Sequence, residues 1–134
     1  MNGVLHHIEI NVSDIEKSIS FWRWLLTEKF NYIQCRKWEG GIEFKLGSTH
    51  IIFVQTDKNY SDSIFNLRKP GLNHLAFRCD SQQFVDSLTR ELKERSITIL
   101  YTDRHPFAGG KNYYAVFFED PDKIKVEVVV NEIE

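Results

Sequence analysis

The sequence predicts an α+β fold made of two copies of one βαβββ module. Three observations predict it. A strand-then-helix pattern over residues 4–28 leads into three strand-like segments, and the same order returns from residue 72. A polar stretch, 57–70 (DKNYSDSIFNLRKP), ends in proline and separates the copies. His7 and His74 stand at equivalent places, each six residues before a helix N-cap and half the 134-residue chain apart. The modules therefore span 1–56 and 71–134, with 57–70 as linker. Two units of this length form a duplication, not a solenoid.

In the first module, residues 4–12 (VLHHIEINV) alternate: Val4, Ile8, Ile10 and Val12 share one face, and His7, Glu9 and Asn11 the other. Ser13 reads as an N-cap with Glu16 completing a capping box. Ile15, Ile19, Trp22 and Leu26 follow at helical spacing, and the helix ends near Glu28. Strands are expected at 30–38, 42–46 and 49–56, with turns at Gly40-Gly41 and Gly47-Ser48. In the second module, 72–79 (LNHLAFRC) alternates with His74, Ala76 and Arg78 on one face. Asp80 is the expected N-cap, with Gln83 at the box position. Phe84, Val85, Leu88 and Leu92 form the apolar stripe of a helix ending near Arg95. Strands at 97–101, 112–118 and 124–130 complete the copy. The loop 102–111, with Pro106 and Gly109-Gly110, suits a flap over a site or an ordinary long connection; the latter is preferred.

The composition bounds the function. Hydrophobic content is 42% and charged content 27%, ordinary for a globular domain. A net charge of −2 argues against nucleic acid as a partner, which needs a basic face. No apolar run is long enough to span a membrane, and MNGVLHHIEI lacks a secretory pattern. Cys35 and Cys79 are too few for a disulfide framework and read as reduced, buried small hydrophobes, so a cytoplasmic location is expected. The aromatic content of 13% fits a filled core with a dimer interface, an aromatic-lined pocket, or both.

Glu127 is the least expected residue on pattern. It interrupts a valine-rich strand, VEVVV, where a carboxylate is costly to desolvate. By parity Ile124, Val126, Val128 and Val130 face the helices, whereas Lys125, Glu127 and Val129 face the other way. His7, His74 and Glu127 thus can share one concave surface. Two imidazoles and a carboxylate suit a divalent Fe, Mn, Ni, Zn or Co ion and leave open positions for water and substrate. Taken singly, each has a plainer reading: a hydrogen-bonded strand histidine, or a carboxylate facing water. His6 falls on the helix side by parity, and His50 faces the cup as a substrate contact, a replacement ligand or, preferred, a strand-end polar residue. His105 lies in the loop. No phosphate loop, nucleophile elbow or CxxC is present.

Three segments, LHHIEINVSDIEKSISFW, GLNHLAF and FFEDPDKIKVEV, resemble the vicinal oxygen chelate superfamily (glyoxalase, bleomycin resistance protein, extradiol dioxygenase) over nearly the whole chain. The resemblance implies two βαβββ modules forming a half-closed eight-stranded barrel with helices outside. Its metal-ligand slots fall on His7, His74 and Glu127. It also implies a homodimer, often with the modules of one site drawn from different chains, so that His7 of one subunit meets His74 and Glu127 of the other. Departures bear on activity. Glyoxalase I has a fourth, acidic ligand where Ile52 stands here. The hydroxyls of fosfomycin-resistance enzymes are replaced by Glu9, Ala115 and Phe117. Lys123 follows the Asp-Pro-Asp turn in place of glycine.

The expectation is a metal-dependent enzyme acting on a small oxygen-bearing molecule, with the metal as Lewis acid. Isomerase or lyase chemistry, thiol or water addition, and dioxygenation all remain open. Glu9 is the candidate general base or substrate contact, or equally a hydrogen-bonding partner of a neighbouring strand. Tyr113 is a candidate donor, and His50, Arg78 and Phe117 are candidate substrate contacts. The alternative is a metal-free protein that sequesters an aromatic small molecule.

Overall fold

The structure, a computed structural model, describes residues 1–131. It divides into two compact units, 1–64 and 65 onward. In the first, strand β1 (His7–Val12) leads into helix α1 (Ile15–Arg23), then β2 (Ile33–Trp38), β3 (Gly41–Leu46) and β4 (Thr49–Gln55). The sheet order is β1-β4-β3-β2; β1 and β4 run parallel and the other pairs antiparallel.

Helix α1 begins one residue later than the capping box predicts. Asp14, not Ser13, is the N-cap, and its Oδ1 accepts from the Glu16 and Lys17 amides at 3.1 and 3.3 Å. A carboxylate both satisfies the orphan amides and opposes the helix dipole. Gln55, at the end of β4, fixes the approach: it accepts from the Ile15 amide and donates to the Ser13 carbonyl, each at 2.9 Å. After Arg23 the helix widens into a π-wound turn, Trp24–Lys29, with the Phe30 amide donating to the Leu25 carbonyl at 3.1 Å. This turn buries three successive apolar side chains, Trp24, Leu25 and Leu26, which a narrow α-helical stripe does not accommodate. Trp22 is fully buried and stacks on Phe53 of β4 at 4.8 Å, at the centre of a core with Phe44 and Ile42 of β3.

The second unit contains β5 (His74–Cys79), α2 (Gln82–Glu94), β6 (Ala115–Glu119) and β7 (Lys125–Val130). Its sheet order is β5-β7-β6, with β5 and β7 parallel. The described residues therefore hold seven strands in two sheets rather than the eight expected of a barrel. The missing strand is 97–101. It makes a single bridge, Ile99 to Phe118, through hydrogen bonds from the Leu100 amide to the Phe117 carbonyl and from the Glu119 amide to the Thr98 carbonyl. Ser96 and Tyr101 flank it with φ of +57° and +56°, so the chain turns away from the sheet at both ends.

The N-cap of α2 is Ser81 rather than Asp80, its hydroxyl accepting from the Phe84 amide at 3.1 Å. The helix ends in a Schellman arrangement: the Ile97 amide donates to Leu92 and the Ser96 amide to Lys93, with Ser96 left-handed where glycine is usual. Lys123 is also left-handed, at φ +65°, so the Asp-Pro-Asp turn closes as it would with glycine. Asp120 Oδ1 holds that turn, accepting from the Asp122 and Ile124 amides at 2.8 Å each. Val126 and Val128 are fully buried with Val85, Leu88 and Leu92. No helix among the described residues is long and apolar enough to cross a membrane.

Candidate functional site

Parallel pairing of β5 with β7 sets Ala76 opposite Glu127 and His74 opposite Lys125, so His74 and Glu127 lie diagonally on one face. His74 Nε2 is 3.1 Å from Glu127 Oε2. On the other side of the ring, Nδ1 is 2.8 Å from Asn73 Oδ1. The Asn73 amide nitrogen donates to the Leu67 carbonyl at 3.3 Å, which turns the amide oxygen toward the imidazole. With Nδ1–H donated to that oxygen, the neutral ring aims the Nε2 lone pair at a carboxylate, and two acceptors face each other. A second ring proton, or a cation between them, resolves this.

Glu127 is only 2% exposed, and its Oε1 has no hydrogen-bond partner. A buried, half-satisfied carboxylate is expensive. The donor set fits a divalent cation: an imidazole nitrogen of fixed tautomer beside a carboxylate with an uncommitted oxygen.

Phe117 of β6 sits directly opposite Glu127, its ring 6.4 Å from that of His74 and edge-on to Tyr101 at 5.4 Å. Lys125, 8% exposed, donates from Nζ to Tyr101 Oη at 3.1 Å and lies over both aromatic rings. Arg78 is exposed on β5. Tyr113 is half-buried, with its ring against Gly109; a side chain at Gly109 would collide with it.

The remaining candidates belong to the first unit. His7 is exposed, and its Nδ1 lies 2.9 Å from that of His6. His6 precedes the strand, so strand parity does not govern it: it is exposed and stacks on His50 at 5.2 Å, instead of facing the helix. Glu9 is exposed, opposite Ile52, and Ile52 in turn lies opposite Glu43 of β3. The apolar residue at the acidic position of glyoxalase I is thus flanked by two carboxylates. His50 Nδ1 is 3.1 Å from Glu43 Oε2, and Cys35 Sγ donates to the same oxygen at 3.0 Å. Cys35 is therefore half-buried and hydrogen-bonded, not the buried hydrophobe expected; Cys79 is buried. Partial burial and the Glu43 carboxylate push the Cys35 thiol up, and the Cys35 hydrogen bond, with those of His50 and the Arg36 charge, holds Glu43 below the usual carboxylate range.

Sequence reasoning missed Asn73, Tyr101, Cys35 and Glu43. Glu43 was within reach: it has the parity of Lys45, which pairs with His50. Cys35 was not, because the register shifts between Gln34 and Arg36 and alternation fails there.

Residues 4–128 match the family model for the Glyoxalase/Bleomycin resistance protein/Dioxygenase superfamily. The chain belongs to this superfamily. Protein YqjT of Bacillus subtilis (strain 168) is 46% identical over 125 residues, covering 93% of this chain and 97% of YqjT. The crystal structure of a candidate glyoxalase from Bacillus halodurans superposes with a TM-score of 0.93 at 52% identity, covering 97% of each chain. A point mutant of the fosfomycin resistance protein FosX of Listeria monocytogenes, in a complex with Mn(II) and 1S,2S-dihydroxypropylphosphonic acid, shares the fold at a TM-score of 0.66 and 20% identity, covering 100% of this chain and 94% of that chain.

Proposed function

We propose that this protein is a cytoplasmic, metal-dependent enzyme of the glyoxalase superfamily acting on a small oxygen-bearing substrate. His7, His74 and Glu127 are its metal ligands, the set that the superfamily resemblance implies. The observation that carries this reading is the buried Glu127 carboxylate, one oxygen facing His74 Nε2 and the other without a partner. Mn(II) in FosX makes a hard divalent ion the first one to test. Such an ion, when bound, supplies a Lewis acid for adjacent substrate oxygens.

The chain's own residues do the rest. Asn73 fixes the tautomer and orientation of His74. Phe117 and Tyr101 form an aromatic wall that excludes water beside the ligands. Lys125 donates to Tyr101 Oη, so the Tyr101 hydroxyl proton is the one available to a substrate oxygen. Glu9 serves as proton acceptor, Tyr113 as a further donor, and Arg78 contacts the substrate. Isoleucine at position 52 argues against the four-ligand chemistry of glyoxalase I.

Manganese titration of the purified, metal-stripped protein tests the assignment. Wild type is expected to bind Mn(II), and His74→Ala and Glu127→Gln to lose roughly a hundredfold or more in affinity while keeping the wild-type circular dichroism. If wild type and His74→Ala hold equally little metal, and neither gains affinity for added Mn, Ni or Fe, the enzyme reading fails. The Tyr101–Phe117 wall then supports metal-free binding of an aromatic molecule.

A further inference from the structure

We infer that the first unit carries a second, thiolate-containing cation site formed by Cys35, Glu43 and His50. The three side chains come from the three neighbouring strands β2, β3 and β4. One donor atom from each lies within 4.8 Å of the others. Two of the spacings are 3.0 Å, Cys35 Sγ to Glu43 Oε2, and 3.1 Å, His50 Nδ1 to the same oxygen. Edges of a tetrahedron with metal–ligand bonds of about 2.0–2.3 Å are roughly 3.3–3.8 Å. The two spacings to Glu43 Oε2 reach that range by opening about 0.3–0.8 Å, and the third pair already lies within 4.8 Å.

The chemistry of the donors selects the ion. One sulfur, one imidazole and one carboxylate suit a borderline or thiophilic divalent cation such as Zn²⁺, Co²⁺ or Cd²⁺. The His74–Glu127 pair offers no sulfur and suits harder ions, so the two sites differ in preference. On binding, Cys35 becomes the thiolate and the proton it shares with Glu43 leaves to solvent, as does any proton on the coordinating nitrogen of His50. Access is open: Cys35 lies at a bulge on the edge strand β2, and the Glu43 and His50 side chains are 13% and 23% exposed. Arg36, 3.5 Å from Glu43 Oε1, holds the carboxylate from outside and leaves Oε2 for the ion. The fourth position falls to water. None of its three donors belongs to the proposed catalytic ligand set, although His50 is the cross-strand neighbour of His7.

Cobalt titration under a thiol-free reductant reads the site directly, because a cysteine thiolate bound to Co²⁺ gives a near-ultraviolet charge-transfer band that histidine and carboxylate do not. Wild type is expected to develop the band, saturating at one Co²⁺–thiolate per chain. Cys35→Ser and Cys35→Ala should abolish it with unchanged circular dichroism, and His50→Ala should need roughly tenfold or more cobalt for half-saturation. Cys79→Ala and Glu127→Gln should retain it. The inference is overturned if wild type shows no band at saturating cobalt, if the band survives both Cys35 variants, or if Glu127→Gln removes it. Loss of manganese binding in Glu127→Gln with the cobalt band intact keeps this site separate from the test of the catalytic one.

Discussion

A single carboxylate shows how far residue-level physics reaches. Glu127 is legible because burying a charge in a valine run demands a partner, and period-two alternation says which way it points. Its contact with His74 follows from that alternation once β5 and β7 pair. Asn73 was not legible: its role depends on a backbone carbonyl, that of Leu67, that orients its amide. This gives a prediction. Asn73→Ala removes no ligand, yet it should weaken manganese affinity about 10–100-fold by freeing the His74 ring, as measured by calorimetric titration. Cys35 was misread for the opposite reason. A register shift places it beside Glu43, and no periodicity in the sequence reports that shift.

Helices and most strands were readable from their periodicity; the ends were not. Both N-caps fall one residue later than expected, at Asp14 and Ser81, because each is followed by a residue that can start the helix and each can itself cap. The 97–101 segment has the composition of a strand, but left-handed residues at either end limit it to one bridge. Lys123 keeps a left-handed turn at a steric cost that glycine does not incur. Lys123→Gly is expected to raise stability by about 0.5–1 kcal/mol in chemical denaturation, the gain partly offset by glycine's greater unfolded-state entropy.

The entry to β6 is tied to α2 by Tyr114, whose hydroxyl donates to Asp86 Oδ1 at 2.5 Å. That bond, with the negative charge of Asp86 and partial burial, pushes the Tyr114 phenol above its ordinary value of 10.0. A group whose folded pKa is raised contributes stability that is fully present below its unfolded pKa and is lost as pH rises through the folded one. Tyr114→Phe should therefore cost about 1 kcal/mol, a difference constant from neutral pH to about pH 9 and shrinking above about pH 10. Urea unfolding of the two proteins across that range checks it; a gap that widens with alkalinity contradicts the assignment.

At the scale of the molecule, the sequence reads as a duplication because the two histidines, the two helices and the strands after them recur at half the chain length. The divergence between the copies was not. In the second copy the strand after the helix is reduced to a bridge, whereas its counterpart β2 pairs with β3 along its length apart from the bulge at Cys35. A homodimer sharing its ligands between subunits makes a distinct prediction. His7→Ala and Glu127→Gln each spoil every site when pure. Mixed and allowed to exchange, they should recover manganese binding, because half of each mixed dimer's sites are then intact. Sedimentation of the wild-type chain should give about twice the 15.8 kDa monomer mass. No recovery on mixing, with exchange verified, would assign all three ligands to one chain.

Each sheet places its latest-made strand in an interior position: β4 between β1 and β3, and β7 between β5 and β6. Hydrogen bonding across the middle of either sheet must therefore wait until that strand has left the ribosome. The first unit can complete its sheet while the second is still being translated, and β5 must wait for a partner that arrives with Glu127. The nascent chain thus acquires its His74–Glu127 pair at the step that completes its second sheet. An ion held there as proposed would be captured only after β7 has joined β5, so its binding would report a completed second sheet.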